Sequence, residues 1–280
     1  MHIFTTRAQL DAYLGAAPGS NICVPTMGAL HEGHAALVRA GASEAQRRGL
    51  PRGCVVTIFV NPTQFNEKTD FDRYPRTLEA DAALCAAAGA AAVFAPSPAE
   101  VYPLDRPVPV PELPLVATRP GLEDAQRPGH FAGVCQVVAR LFELVRPAAA
   151  VFGEKDWQQL QVVRAMTRAL GLPIEILPHA TVREAGGLAM SSRNRFIAPE
   201  HRAAALRVSA ALAAAREHRD PARAEHAMRA VLGAEAQLRT EYAVVRDAES
   251  LLAWAPGRPG RALVAARLGA VRLIDNQSWG

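Results

Sequence analysis

Lysine is nearly missing from this chain. Of its 31 basic side chains two are lysines, Lys68 and Lys155, and 29 are arginines. Arginine is written wherever a generic positive charge suffices, so a lysine marks a place that needs a compact ammonium group. Aromatic residues are also scarce, at 6%. No stretch approaches the roughly 20 apolar residues of a membrane-spanning helix. The opening MHIFTTRAQLDAYLG has no basic start followed by a long apolar core, so no secretory signal is expected. The four cysteines (Cys23, Cys54, Cys85, Cys135) lie far apart in apolar or Ala-rich stretches, with no CxxC pair. They read as reduced, buried side chains of a cytosolic protein. No run of five basic residues occurs, so the net charge of +4 reads as solvated arginines and not as a nucleic-acid patch. A GxxxxGK[ST] loop, a GxGxxG loop, a GxSxG elbow and a Ser-His-Asp order are all lacking. P-loop, dinucleotide and serine-hydrolase readings lose support accordingly.

What is present is a rhythm. Short apolar runs bounded by Gly or Pro recur at Asn21–Pro25, Cys54–Val60, Ala91–Pro96, Ala149–Phe152 and Ile174–Pro178. Several lack polar alternation, as strands buried on both faces of a parallel sheet do. Helical patterns separate them over Gly33–Arg48, Thr77–Ala88 and Trp157–Leu170. The clearest places Phe131, Val134, Cys135, Val138, Leu141, Phe142 and Val145 on one helix face. This alternation predicts a doubly wound α/β domain over residues 1–178, with its ligand outside the carboxyl ends of the strands. After residue 178 come Ala- and Arg-rich helices at Pro199–Arg216 and Pro221–Leu238, each opened by Pro. Short strands at Glu241–Arg246, Arg261–Arg267 and Val271–Ile274 follow, predicting a smaller α+β domain over 179–280. Pro96–Pro120 reads as a long surface connection, a length that is uncommon without function.

Four constellations could carry chemistry. Pro25-Thr-Met-Gly-Ala-Leu-His31-Glu-Gly-His34 begins where the first buried strand ends and runs into a helix. His31 and His34 share one face of a helical turn. A helix N-terminus offers free N–H groups and positive dipole to an anion, and Gly28 and Gly33 allow close backbone approach. Two imidazoles there suit a triphosphate. A metal pair, or histidines exposed by chance, are the other readings, but no third Cys, His or Asp stands at useful spacing for a metal. The second, Phe59-Val-Asn61-Pro-Thr-Gln64-Phe, follows the second strand; its amides can bind a small polar substrate without adding charge, although Asn-Pro is also an ordinary turn opening. The third, Phe152-Gly153-Glu-Lys155-Asp156-Trp157-Gln-Gln159, sets one of the two lysines at a strand–helix junction. Lys68, in Asn-Glu-Lys-Thr-Asp, sits in a polar loop and reads as a surface charge. The fourth, Met190-Ser191-Ser192-Arg193-Asn194, follows Gly186-Gly187. It could close over phosphates as a lid or be an ordinary N-cap. Arg127-Pro-Gly-His130-Phe heads the strongest helix.

Together with Arg-Tyr-Pro-Arg at residues 73–76, these motifs in this order resemble the pantothenate synthetases, or pantoate–β-alanine ligases, of the HxGH nucleotidyltransferase superfamily. The resemblance is dense from Val24 to Asn194, returns at Ala262–Asn276 and is thin between Arg202 and Arg239. It implies a Rossmann-like α/β fold with a second, smaller α+β C-terminal lid domain. It also implies a cytoplasmic homodimer of soluble enzymes that takes small-molecule substrates and neither nucleic acid nor membrane. The implied reaction joins pantoate and β-alanine at the expense of ATP, giving AMP and pyrophosphate through an enzyme-bound pantoyl adenylate. By resemblance His34 is the catalytic histidine and His31 its phosphate-binding partner, with Lys155, Ser191, Ser192 and Arg193 also on the reacting phosphates. Met27, Gly28, Ala29, Leu30, Glu32 and Gly33 complete the first ATP loop. Gly153, Glu154 and Asp156, the last towards the ribose, join Val182 and Met190 on the nucleotide. Gln64 and Gln159 are implied to bind pantoate, Gln64 also lying near β-alanine, with Asn61, Arg127 and His130 as supporting polar groups. Mg2+ is implied through the ATP phosphates, and Asp81 is the candidate protein ligand. Two departures stand out: Ala132 where the family often has Arg, and Trp157 where Phe is common. A related nucleotidyltransferase gives no reason for both glutamines, and a silent nucleotide binder predicts a broken motif that the sequence does not contain.

Overall fold

The computed structural model describes residues 1–64, 71–72 and 74–280. Phe65, Lys68 and Arg73 of the motifs above lie outside the described residues. Six parallel strands form the larger sheet: β1 (His2–Phe4), β2 (Ile22–Thr26), β3 (Cys54–Ile58), β4 (Ala92–Phe94), β5 (Ala149–Gly153) and β6 (Glu175–His179). Their order is β1-β4-β3-β2-β5-β6. From β2 the chain winds outward through β3 to β4, then returns to β2's other side for β5 and β6. The order therefore reverses between β2 and β5, which is where a doubly wound sheet opens its ligand crevice.

Side-chain alternation supplies two cores. Ile22, Val24, Val56 and Val151 pack against α2 (Glu32–Arg47) and α3 (Leu78–Ala87). Cys23, Val55, Phe94, Ala150 and Phe152 pack on the opposite face against α1 (Arg7–Leu14), α4 (His130–Val145) and α5 (Trp157–Ala169). A strand flanked on both faces must be apolar at every position, and this is why these runs show no polar alternation.

Two prolines expected to bound strands lie inside them. Ile22 N–H donates to Gly53 and Thr26 C=O accepts from Phe59, so the even residues of β2 face β3. Pro25 therefore faces β5, from which β2 has already parted, because their pairing covers only Ile22 and Cys23. Its missing N–H costs no ladder bond there. The same splay opens the crevice. Pro178 likewise faces outward from the edge strand β6.

The C-terminal unit is an antiparallel sheet of β7 (Leu238–Asp247), β8 (Gly260–Leu268) and β9 (Val271–Trp279). One face is covered by α6 (Arg202–Ala215) and α7 (Pro221–Gly233). Val244 and Leu263 on the other face join the core beneath α4 and α5. Helix α7 stops at Gly233, short of the expected Leu238. Strand β9 runs on through Asp275–Ser278, whose polarity conceals it. The short β1 and α1 are not evident from periodicity, since α1 buries only Leu10 and Leu14. The stretch Pro96–Pro120 is a connection with helical turns at Pro98–Val101 and Leu115–Ala117 and with Val101, Val116 and Ala117 buried, so it is not wholly a surface segment.

Candidate active site

At the carboxyl ends of β2 and β5 lies a pocket that gathers Met27, His31, Gly33, His34, Gln64, Lys155, Gln159 and Ser191–Arg193, residues drawn from all four constellations. Helix α2 is capped in an unusual way. Gly33 N–H donates to His31 Nδ1 at 3.1 Å, and His31 N–H donates to His34 Nδ1 at 3.3 Å. The two rings thus do the work of the Ser and Glu of a capping box. Because each Nδ1 accepts a main-chain hydrogen, each ring carries its own hydrogen on Nε2, where it can be donated to a ligand. Gly33 is required: a Cβ there would stand 2.8 Å from His31 Cε1.

Electrostatics keep both rings neutral. Burial, then the neighbouring His31, push His34 down to about 3. Burial and then the Lys155 ammonium lower His31. Opposite stands Lys155, whose Nζ lies 3.7 Å from Asp156 Oδ2. Desolvation works against the Asp156 carboxylate, but Lys155, Arg127, Arg193 and His130 outweigh it and hold its pKa below the ordinary value. Neutral donors and a fixed cation around a helix N-terminus are equipped to meet a polyanion whose charge shifts during reaction.

The glutamine side is built on Asn61, which is 1% exposed. Its amide donates to Gln64 Oε1 at 3.3 Å and to Gly133 C=O at 3.1 Å, while its Oδ1 accepts from Tyr102 at 2.8 Å. Gly133 permits this approach, since a Cβ there would stand 2.6 Å from Thr63 O. Arg127 donates to His130 Nε2 at 3.0 Å, which leaves His130 Nδ1–H to donate to Gln64 C=O at 3.2 Å. Burial and then Arg127 push His130 down to about 4. Asn61, Arg127 and His130 all reach the pocket wall, yet their bonds serve to fix Gln64. Gly153, Asp156, Val182 and Met190 also line the pocket.

Other expected residues stand behind the wall. Gly28, Ala29 and Leu30 form a loop whose Ala29 and Leu30 N–H groups donate to Asp81 at 3.0 and 2.8 Å. Glu32 pairs with Arg39 on the surface. Glu154 turns away to Arg261, 3.0 Å distant. Among the described residues no cluster of three or more His, Cys, Asp or Glu side chains could hold a metal. Sequence reasoning assigns no role to Tyr74, which lines the pocket and whose phenol burial raises, with Arg193 opposing. It also misses Arg261, which lies 3.6 Å over the Trp157 ring.

A family model described as pantoate-β-alanine ligase matches residues 2–278. The chain belongs to this family. A pantothenate synthetase of Nocardioides sp. is 49% identical, covering 97% of this chain and 83% of the relative. One from Rubrobacter xylanophilus is 49% identical over 90% of this chain and 89% of the relative. The crystal structure of pantothenate synthetase from Thermus thermophilus aligns over the whole of both chains, with a TM-score of 0.89 and 44% identity. A pantoate-β-alanine ligase from Francisella tularensis, solved with βγ-ATP and β-alanine, gives 0.77 and 27% over 99% of this chain and 97% of that one. The α/β sheet with its small C-terminal antiparallel sheet is thus the architecture of pantoate–β-alanine ligases. No helix among the described residues is long and apolar enough to cross a membrane.

The depressed imidazoles have a consequence for stability. In the unfolded chain a histidine binds its proton near 6.5, whereas His34 and His130 resist it until about 3 and 4. The unfolded state therefore binds more protons below pH 6.5, and stability falls as pH falls through that window. Each ring contributes on the order of 1 kcal/mol per pH unit. Urea unfolding at pH 7.5 and 5.5, above the main carboxylate range, should give the lower stability at pH 5.5. Equal or greater stability there would contradict the assignment.

Proposed function

We propose that this pocket performs pantoate–β-alanine ligation in two displacements. A pantoate carboxylate oxygen attacks the α-phosphorus of ATP, the bond to pyrophosphate breaks, and an acyl adenylate remains bound. The β-alanine amine then attacks the acyl carbon, the carbon–oxygen bond to AMP breaks, and the amine gives up a proton. A carboxylate is a poor acyl donor until its oxygen belongs to a good leaving group, so no enzyme nucleophile is needed. The observation that carries the reading is the pair of neutral imidazoles, each with Nε2–H free, at the start of α2 facing Lys155.

His34 and His31 donate to the phosphates, and Lys155, Ser191, Ser192 and Arg193 complete the cradle. Gln64 and Gln159 bind pantoate, Gln64 in a posture set by Asn61 and His130. Gly153, Asp156, Val182 and Met190 hold the nucleoside. Mg2+ carried by the triphosphate would supply further positive charge beside Lys155. Asp81 is left out of its coordination because its carboxylate already accepts from Ala29, Leu30 and Thr77. We also propose a homodimer and a cytoplasmic location; the family resemblance supports the first, and four buried free thiols accord with the second. We propose the division at residues 178 and 179, one residue before β6 ends; the separate antiparallel sheet that follows supports it.

The test is ATP–pyrophosphate exchange by purified protein with pantoate and no β-alanine. Pantoate-dependent exchange is expected. Its absence, with pantothenate still formed when β-alanine is added, would replace the adenylate by a concerted route.

A further inference from the structure

Neither Asp275 nor Asn276 lines the main pocket, yet each grips one of its two nucleotide loops. Alternation along β9 sends them to opposite faces of the C-terminal sheet. Leu273 and Trp279 share Asp275's side and pack beneath α6 and α7. Arg272 shares Asn276's side and reaches Glu123 of the larger domain at 2.7 Å.

Asn276 is 3% exposed and its amide is fully used. Its Nδ2 donates to Glu154 C=O at 3.0 Å and to Lys155 C=O at 2.8 Å, and its Oδ1 accepts from Arg261 Nε at 2.7 Å. Arg261 in turn pairs with Glu154 and covers Trp157. These bonds fix the main chain from which the Lys155 ammonium projects. Only a side chain with two donors and an acceptor in this geometry can fill the position.

Asp275, its side chain 1% exposed, holds Arg183 through two bonds of 2.6 and 3.0 Å. Arg183 also donates to Gly187 C=O at 2.9 Å, bracing a small hairpin closed by Met190 N–H on Val182 C=O, 2.9 Å. Val182 and Met190 are the hairpin's pocket-facing legs, and Ser191 follows directly. One rigid dipeptide unit thus sets the spacing between the Lys155 loop and the Val182–Arg193 loop.

We propose that Asp275 and Asn276 are positioning residues that hold the two halves of the ATP site in register. The proposal rests on the function proposed above and adds the groups that align it. Asn276→Asp keeps the shape but sets a carboxylate against the Glu154 and Lys155 carbonyls. Asp275→Asn keeps the shape but loses the charge that fixes Arg183. In full-length protein assayed by pantoate-dependent ATP–pyrophosphate exchange, each variant should raise KM for ATP on the order of tenfold, the effect of losing a buried hydrogen bond to a partner. KM for pantoate should stay within about twofold, because Gln64 is held by Asn61 and His130 and Gln159 stands on α5, which Leu160 and Val163 anchor in the core; a merely structural role would move both together. Wild-type protein that neither exchanges pyrophosphate nor forms pantothenate when β-alanine is added would overturn the function itself and not this inference. Exchange in the wild type, with KM for ATP unchanged in folded variants or with both KM values rising in step, would overturn the inference. Far-UV circular dichroism verifies folding, and if Asn276→Asp fails to fold, Asp275→Asn alone decides the matter.

Discussion

His34→Ala is expected to lower kcat for pantoate-dependent exchange by about 10²- to 10³-fold, the range found when one preorganised donor to a developing charge is removed. The expectation follows from how the ring is held. Its Nδ1 is occupied by His31 N–H, so its hydrogen sits on Nε2, and burial keeps it neutral at about 3, far below the working pH. A donor so fixed needs no reorganisation when negative charge builds on the α–β bridging oxygen as it leaves with pyrophosphate. Truncation removes that donor and leaves one N–H at the helix start without its cap. The cost in stability is about 1 kcal/mol, so loss of turnover should far exceed loss of folding. His34→Gln, which retains an amide donor, should keep more activity than His34→Ala. The pH profile separates two mechanisms. kcat/KM reports the free enzyme, so a neutral donor gives no acid limb near 6.5. A limb near 6.5 that vanishes in His34→Ala would make the ring a general base instead. Near-normal turnover in His34→Ala would remove it from the chemistry altogether.

The sheet is legible because a strand covered on both faces leaves a mark in composition. Cys54–Ile58 and Ala149–Gly153 are apolar at nearly every position and lie within about two residues of where the apolar runs put them. Strand β9 is half-hidden for the opposite reason: Asp275, Asn276 and Ser278 are spent on specific partners, Arg183, the Lys155 loop and Arg261, and a partner has no periodicity. The histidines show the same division. Their spacing and place at a strand–helix junction point to phosphate chemistry, but nothing in His-x-x-His says that each ring accepts a main-chain hydrogen. By resemblance Asn61 and His130 are supporting polar groups of the pantoate site, and their residue types do not say what they hold. Folding instead gives them Gly133, Tyr102, Arg127 and the Gln64 backbone as partners. Long-range contacts of this kind, across 72 residues for Asn61 and Gly133, are invisible to local pattern. The scarcity of lysine remains informative, since Lys155 faces the histidines across the pocket.

Replacing Asp81 should be the most damaging single change outside the pocket wall. The side chain is 3% exposed at the start of α3. Its Oδ2 accepts from Ala29 N–H at 3.0 Å and Thr77 Oγ1 at 3.2 Å, and its Oδ1 accepts from Leu30 N–H at 2.8 Å. Ala29 has φ of +51° and Gly28 of +80°. The left-handed region costs a residue with a Cβ roughly 1–2 kcal/mol, so this carboxylate holds a strained turn in place. Asp81→Ala would leave three donors without an acceptor and release that turn. A loss of about 3–5 kcal/mol is expected, equivalent to a fall in Tm of roughly 6–20 °C in a chain of this size. Because the turn leads directly into His31, KM for ATP should rise as well. A metal-ligand role makes a different forecast, and Asp81→Asn distinguishes them. If Asp81 serves the loop, the variant loses thermal stability while its half-saturating Mg2+ at saturating ATP stays as in the wild type. If Asp81 binds the ion, Tm stays and the Mg2+ requirement climbs. With both oxygens already turned towards Ala29, Leu30 and Thr77, a cation could take this carboxylate only by stripping the loop of its acceptors, so the first outcome is the one to expect.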